Sequence, residues 1–220
     1  MELIVAPTTF RPTTVSQLLA DAMTVEEGDV VVDAGCGSGV LAIIAAKLGA
    51  GKVYGVDAAE DTVEVASANA AANGVADRTE FFQGDLFAPL PDGIKANVVI
   101  GDVSGIPDEI ARASGWFPAG LAGGPSGAEL PMRMLAEARR LLASGGKMFL
   151  PTGSLQDESS ILDRARSVYD SMRQLAERNI PLPSSLSEDP ALLRLLREKV
   201  IDLKQRGSRF LWTARIWELS

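Results

Sequence analysis

Residues 30–39 read Val-Val-Val-Asp-Ala-Gly-Cys-Gly-Ser-Gly, and this stretch decides the fold. Its first three residues form a short β-branched run, which is typical of a strand buried on both faces of a parallel sheet. Residues 40–46 are apolar at helical spacing, so the glycines join that strand to the beginning of a helix. Glycine lets a backbone turn sharply, and a helix start presents free N–H groups to an anion. We therefore expect a ligand at this turn.

The spacing of the glycines indicates the kind of ligand. Dinucleotide sites use Gly-x-Gly-x-x-Gly, whereas here the third glycine, Gly39, comes one residue early. An acidic residue, Asp33, stands two residues before the first glycine, and Asp57 ends the next apolar run. A third carboxylate, Asp85, follows Phe-Phe-Gln-Gly at residues 81–84. Together these three motifs resemble those of the class I S-adenosylmethionine-dependent methyltransferases.

That resemblance implies S-adenosyl-L-methionine as the cofactor. In the family, the acidic residue that ends the second strand holds the ribose hydroxyls, which implies this role for Asp57. The third motif implies that Asp85 lies beside the adenine amino group. The residues predicted to bind the cofactor are Asp33, Gly35, Cys36, Gly37, Ser38, Gly39, Asp57, Asp85, Leu86 and Asp102. The alternatives are a nucleotide-free turn, an oxidoreductase, and a protein that binds the cofactor without turning it over.

Length and composition favour an ordinary globular protein. The chain has 220 residues, 46% of them hydrophobic and 23% charged, which fits a single domain over residues 1–220. A single cysteine excludes an internal disulfide and suits a reducing cytoplasm. Residues 1–5 lack the basic flank and apolar core of a signal peptide, so a cytoplasmic location is expected. The chain has no histidine, the commonest metal ligand, and no metal site is predicted.

The net charge of −8, from 21 basic and 29 acidic residues, disfavours a nucleic-acid partner. A run of basic residues between 194 and 209 is interrupted by Glu198 and Asp202, which is typical of a solvated helix face. No apolar stretch approaches the length of a membrane span. We therefore expect no nucleic-acid or membrane partner, and a monomer or homodimer.

Strand and helix patterns alternate along the chain, which predicts an α/β fold. The prediction is a single Rossmann-like, doubly wound sheet of seven strands, mostly parallel with an antiparallel last strand and helices on both faces. The strands are predicted at residues 29–33, 53–57, 79–83, 96–101, 147–151, 174–179 and 209–218. The helices are predicted at residues 14–23, 40–48, 59–72, 126–143, 157–172 and 190–205.

Two segments are additions to this regular alternation of strands and helices. Residues 102–125 are rich in Gly, Pro and Ser and are predicted to form a loop. Residues 181–208 are predicted to insert a helix before the last strand, opened by Asp189 and Pro190. Long connections are usually binding loops or lids. The sequence leaves three roles open for this insertion, which are a lid, a cover for the core and a dimer contact.

Further stretches of the sequence resemble one particular family within this class. The glycine loop and residues 10–14, 106–107, 121–127 and 141–146 are similar to the release-factor glutamine methyltransferases. That family carries Asn-Pro-Pro-Tyr after the fourth strand, where this chain has Asp-Val-Ser-Gly at residues 102–105. The family's helical docking domain is not expected here, because the glycine loop begins already at Gly35. These departures favour an acceptor other than a release-factor glutamine.

The acceptor is expected at the end of the fourth strand, because open α/β sheets bind ligands beyond the carboxyl ends of their strands. A carboxylate there, Asp102, can bind an ammonium or guanidinium and can take up the departing proton. We predict Asp102 and Ser104 as catalytic residues. The predicted acceptor-binding residues are Thr14, Asp102, Val103, Ser104 and Trp116. The alternative for Asp102 is a cap of the following turn, and for Trp116 and Phe117 it is packing.

The resulting prediction is an S-adenosylmethionine-dependent methyltransferase that methylates a nitrogen of a small-molecule acceptor. It depends on the acidic charge, the missing docking domain, and a carboxylate where relatives that methylate amides have Asn. An O-methylated metabolite and a protein side-chain nitrogen are the alternatives.

Overall fold

The computed structural model describes residues 2–6, 9, 11–116 and 122–220. Phe10, Phe117 and Leu121, which belong to stretches used in the sequence predictions, lie outside the described residues. The strands are β1 (Val30–Ala34), β2 (Lys52–Asp57), β3 (Thr79–Gln83), β4 (Ala96–Gly101), β5 (Leu142–Gly153), β6 (Met172–Pro181), β7 (Lys204–Arg206) and β8 (Arg209–Leu219). The helices are α1 (Thr14–Ala22), α2 (Val40–Leu48), α3 (Thr62–Ala72), α4 (Asp108–Ser114), α5 (Glu129–Leu141), α6 (Glu158–Val168) and α7 (Pro190–Arg197).

The described strands form one sheet in the order β3-β2-β1-β4-β5-β8-β6, with β7 paired to β8. Strands β1 to β5 are parallel, and β8 runs antiparallel to β5, β6 and β7. The predicted fold class is therefore confirmed, and the described residues form eight strands where seven were predicted. Adjacent residues of β1 face opposite cores, since Val31 packs with α1 and α2 while Val32 packs with α5 and α6.

The strand that was not predicted, β7, lies where the last helix was expected to continue to residue 205. Helix α7 ends at Arg197 because Lys199 takes a left-handed conformation, with φ of +59°. The amide of Val200 then donates to the Leu195 carbonyl and that of Lys199 to Leu196, which is a Schellman stop. Glycine usually occupies the position of Lys199 in such a stop, so the sequence carried no stop signal there.

The glycine-rich segment at 102–125 was predicted to be a loop, and this is wrong for its middle. Helix α4 begins after Pro107 and is held by a hydrogen bond from the Asp108 amide to the Gly124 carbonyl, 2.9 Å long. A separate apolar cluster joins α4 to the insertion, where Ile110, Leu192 and Leu195 are buried together. No helix of the described residues is long and apolar enough to cross a membrane.

Candidate functional site

The carboxyl ends of the parallel strands open into one cleft of about 1050 Å³. Parallel strands bring their carboxyl ends to the same edge of a sheet, so motifs far apart in sequence meet there. The predicted residues that line this cleft are Gly35, Asp57, Asp85, Leu86 and Asp102 for the cofactor, and Thr14, Val103, Ser104 and Trp116 for the acceptor. The structure therefore brings most of the predicted site residues together.

Glycine is required in the loop after β1 because the chain packs against itself. Gly35 has φ of +79°, and a Cβ atom there would lie 2.5 Å from the backbone oxygen of Asp102. Gly39 has the same φ, and its Cβ would lie 3.0 Å from the Cβ of Ala66 in α3. The first glycine thus lets the β1 and β4 ends meet, and the third lets α2 pack on α3.

Asp57 fixes the glycine loop against the end of β2. Its two carboxylate oxygens accept hydrogen bonds from the amides of Gly37, at 2.8 Å, and Ala59, at 2.9 Å. A carboxylate offers about four lone-pair sites, so further donors can still bind. The residues at this end of the cleft therefore fit a ribose with two hydroxyl groups.

Asp85 makes a bidentate ion pair with Arg133 of α5. The two guanidinium nitrogens lie 2.8 and 2.6 Å from the two carboxylate oxygens, and both side chains line the cleft. Arg133 was not predicted, because it lies 48 positions further along the chain. The pair holds the plane of the Asp85 carboxylate, which is the group predicted to lie beside adenine.

The other predicted cofactor residues are not among those that line the cleft. Asp33 is fully buried and accepts a hydrogen bond from the Ala42 amide at 3.0 Å, so it supports the start of α2. Its burial, and next the charge of Asp102, raise the pKa of Asp33. Burial also raises the pKa of Cys36, so its thiol is not activated. Direct contacts with the cofactor from Asp33, Cys36, Gly37, Ser38 and Gly39 stay predictions.

Asp102 accepts a hydrogen bond from the hydroxyl of Ser16 in α1, 3.0 Å long. Withdrawal from solvent raises the pKa of Asp102 to about 6, and the Ser16 bond opposes that rise. Among the described residues no backbone amide donates to this carboxylate, so the geometry gives no support to a turn cap. Ser16 was missed, although its capping box with Thr13 gave a local signal for its position.

The insertion at residues 181–208 meets the cleft only at its beginning. Pro181 and Pro183 line the cleft, whereas the buried leucines of α7 face α4. Trp116 lines the cleft and packs against the cluster that joins α4 and α7, while its contact with an acceptor stays a prediction. A lid formed by the insertion stays a prediction.

The sheet order, the glycine loop and the carboxylates at the strand ends define a class I S-adenosylmethionine-dependent methyltransferase, with S-adenosylmethionine as its cofactor. The family model "Ribosomal protein L11 methyltransferase (PrmA)" matches residues 8–117, half of the chain. The chain belongs to this family. The match includes the glycine loop, Asp57, Asp85 and Asp102, but ends before Arg133. The resemblance to release-factor glutamine methyltransferases stays a resemblance.

Individual relatives agree on the class. The ribosomal protein L11 methyltransferase of Salmonella arizonae is 46% identical over 76 residues, which are 34% of this chain and 25% of that protein. The chain thus spans about a quarter of the length of such curated relatives.

Two solved structures share the fold. A precorrin 8w decarboxylase from Methanobacterium thermoautotrophicum is 17% identical with a TM-score of 0.61, and the match covers 98% of this chain and 95% of that one. The ribosomal protein L11 methylase of Lactobacillus delbrueckii subsp. bulgaricus is 20% identical with a TM-score of 0.54, covering 91% of this chain and 76% of that one.

These findings correct one prediction. A small-molecule acceptor was expected, but the matching family and relatives are named for the methylation of a ribosomal protein. The expectation of a small substrate depended in part on the docking domain of the release-factor enzymes. That domain is a feature of those enzymes and carries no information about how a PrmA-family protein holds its acceptor.

Replacing Arg133 by leucine is expected to weaken S-adenosylmethionine binding about two- to fivefold. The Asp85 carboxylate would lose the partner that orients it and would have to be ordered on binding, a cost of about 0.5–1 kcal/mol for one side chain. Calorimetric titration with the cofactor measures this effect. The control is Arg139→Leu on the same helix, whose guanidinium lies 3.9 Å from Asp170. Unchanged or tighter binding by Arg133→Leu would contradict an orienting role.

Proposed function

We propose that this protein transfers a methyl group from S-adenosylmethionine to an amine nitrogen of a ribosomal protein of the L11 type. The observation that carries the proposal is the family match over residues 8–117. That range includes the cofactor carboxylates and the segment from Asp102 to Ser104 where an acceptor would enter. Of the acceptors that were considered from the sequence, we therefore retain the nitrogen of a protein side chain.

The chemistry of the cleft supports an amine acceptor. S-adenosylmethionine, when bound, supplies an electrophilic methyl carbon attached to a sulfonium. Asp102 is the carboxylate at the end of β4 and lines the same cleft as Asp57 and Asp85. It would accept hydrogen bonds from the incoming amine and orient the nitrogen lone pair. With a pKa of about 6, it is ionised at neutral pH and can take up the proton that the amine loses.

The organisation of the chain is part of the proposal. We infer that residues 1–220 act as one methyltransferase domain, because the described strands join a single sheet. Residues 181–183 would border the acceptor, while α7 would serve as the support of α4 and Trp116. A ribosomal substrate would place the enzyme in the cytoplasm.

Methylation of purified ribosomal protein L11 with isotopically labelled S-adenosylmethionine tests this function. We expect label on L11, located by mass spectrometry of peptides on an amine nitrogen. N-methyl groups survive alkaline treatment, whereas methyl esters are hydrolysed, so a base wash separates nitrogen from carboxylate products. Cofactor binding without transfer to L11, or label that the base wash removes, would overturn the proposal.

A further inference from the structure

Gln156 is a buried polar residue in the cleft wall. It lies between β5 and α6, lines the cleft, and is 6% exposed. Its carboxamide nitrogen has no hydrogen-bond partner in the described part of the chain. A buried amide without a partner costs about 1–3 kcal/mol, so such a group is retained more readily where a ligand satisfies it.

The backbone on both sides of Gln156 is held firmly. The Gln156 amide donates to the Gly153 carbonyl at 3.3 Å, and the Asp157 amide donates to the Ser126 carbonyl at 3.0 Å. Asp157 also caps α6 through the amide of Ser160. The unsatisfied carboxamide thus belongs to a fixed segment, as a binding group does when it is preorganised.

Three glycines allow close packing around Gln156 and Ser104. A Cβ on Gly105 would clash with the Gln156 side-chain oxygen, and one on Gly127 would lie 3.0 Å from the Gln156 Cβ. A Cβ on Gly123 would lie 2.9 Å from the backbone oxygen of Ser104. The glycines of the 123–127 segment therefore bring Gln156 against the residues that follow Asp102.

Ser104 is the second unsatisfied group at this point. Its hydroxyl oxygen is buried and has no hydrogen-bond partner among the residues that the structure describes. Ser104 directly precedes Gly105, against which the Gln156 carboxamide packs, and both Ser104 and Gln156 line the cleft. Two hydrogen-bonding groups without partners thus lie beside the end of β4, two residues beyond Asp102.

We propose that Gln156 and Ser104 form a subsite for the acceptor, in which they bind a peptide carbonyl oxygen next to the amine held by Asp102. A hydroxyl rotates freely and a carboxamide can turn about its last bond, so both can present a donor to one oxygen. The subsite rests on the proposed function, because a protein acceptor brings peptide carbonyls close to its amines.

The charges of the cleft favour a neutral carbonyl over a carboxylate. Asp102 lies within two residues of the subsite, and Glu129 lines the same cleft. Two arginines line the cleft: Arg133 is paired with Asp85, and Arg11 is an exposed residue before α1. A second anion beside Asp102 would therefore be repelled, whereas the carbonyl of an amide would not be.

Replacing Gln156 by methionine tests the subsite by kinetics. Methionine keeps a similar length and removes the hydrogen-bonding group, so KM for ribosomal protein L11 should rise about tenfold, the equivalent of one hydrogen bond. The dissociation constant for S-adenosylmethionine should stay within about twofold by the same reasoning. The control is Gln174→Met, which changes an exposed residue of β6 in the same way. An unchanged KM for L11 in Gln156→Met would overturn the subsite.

Thermal unfolding separates binding from a structural role. Gln156→Met should not lower the melting temperature in the absence of ligands, because the carboxamide nitrogen has no partner to lose. A clear loss of thermal stability would show that Gln156 supports the fold, and would overturn the subsite. The stability measurement is independent of which protein is methylated.

A third arm uses small probes, and so does not depend on L11. In enzyme loaded with S-adenosylhomocysteine, N-methylacetamide should shift the side-chain amide signals of Gln156 in nitrogen-15 spectra. Gln156→Met identifies those signals by their loss. If only acetate shifts these signals, or if neither probe shifts them, the carbonyl subsite is overturned. Shifts with N-methylacetamide in an enzyme that fails to methylate L11 would refute the proposed function and support the subsite.

Discussion

Asp102→Asn is expected to lower turnover about 100-fold, the smaller end of the effect of a group that orients a nucleophile and takes its proton. Asparagine can still accept the hydrogen bond from Ser16, so the geometry of the β4 end should persist. S-adenosylmethionine binding should change much less than turnover. Steady-state rates with L11 and calorimetry with the cofactor measure the two quantities separately.

The pH dependence of the rate gives a second test of Asp102. Its pKa of about 6 predicts that kcat/KM rises as pH increases through 6, because only the ionised carboxylate binds and deprotonates the amine. Asp102→Asn should lose this step. Ser16→Ala should move it to higher pH, since the hydroxyl stabilises the charged form. The same step in Asp102→Asn as in the parent protein would assign it to another group.

Asp102→Asn should lower the activity of the enzyme but raise the stability of its fold. The pKa of Asp102 is raised in the folded protein, so its charge lowers the stability of the fold above pH 6, and this loss is relieved as pH falls towards 4. Asp102→Asn should therefore raise the free energy of unfolding at pH 8 by about 1–2 kcal/mol. This gain in stability is smaller than the whole pKa shift of Asp102 would give, because the residue keeps some contact with solvent. A destabilised variant at pH 8 would favour a structural role for the carboxylate.

Asp57→Ala is expected to weaken S-adenosylmethionine binding at least about 100-fold. Two hydrogen bonds from hydroxyl groups to a carboxylate contribute about 1.5–3 kcal/mol each. The substitution also removes the acceptor of the Gly37 and Ala59 amides, so the glycine loop loses its anchor to β2. Calorimetric titration with the cofactor gives the affinity.

The matched control is Asp92→Ala, which removes an exposed carboxylate from the turn before β4. It should bind the cofactor like the parent protein. Asp57→Asn is informative as well, because an amide keeps one acceptor oxygen and should retain part of the affinity. If Asp57→Ala binds within a few-fold of the parent protein while folded, as judged by circular dichroism, the ribose assignment is wrong.

The strands and the cofactor loop could be predicted because their signals are local. The alternation of Val31 and Val32 between two cores follows from the β-branched run itself. The positive φ of Gly35 and Gly39 follows from the spacing of the glycines. Strands β3 and β4 were predicted with the bounds that the structure has.

Residues that adopt unusual backbone conformations could not be predicted. Lys199 ends α7 in a left-handed conformation that residues other than Gly and Asn rarely adopt. Leu86 has φ of +47° in the cleft wall, where packing of its side chain in the core compensates the strain. In both cases tertiary contacts outweigh the local preference of the residue.

The sequence by itself determined the sheet, the glycine loop and the carboxylates Asp57, Asp85 and Asp102, because each is encoded within a few neighbouring residues. Only the tertiary structure decided which side chains act on those carboxylates. Ser16 reaches Asp102 across 86 positions, and Arg133 reaches Asp85 across 48. The pKa of Asp102 and the unsatisfied carboxamide of Gln156 likewise depend on burial. Burial arises only when distant segments pack, so no local pattern in the chain can specify it.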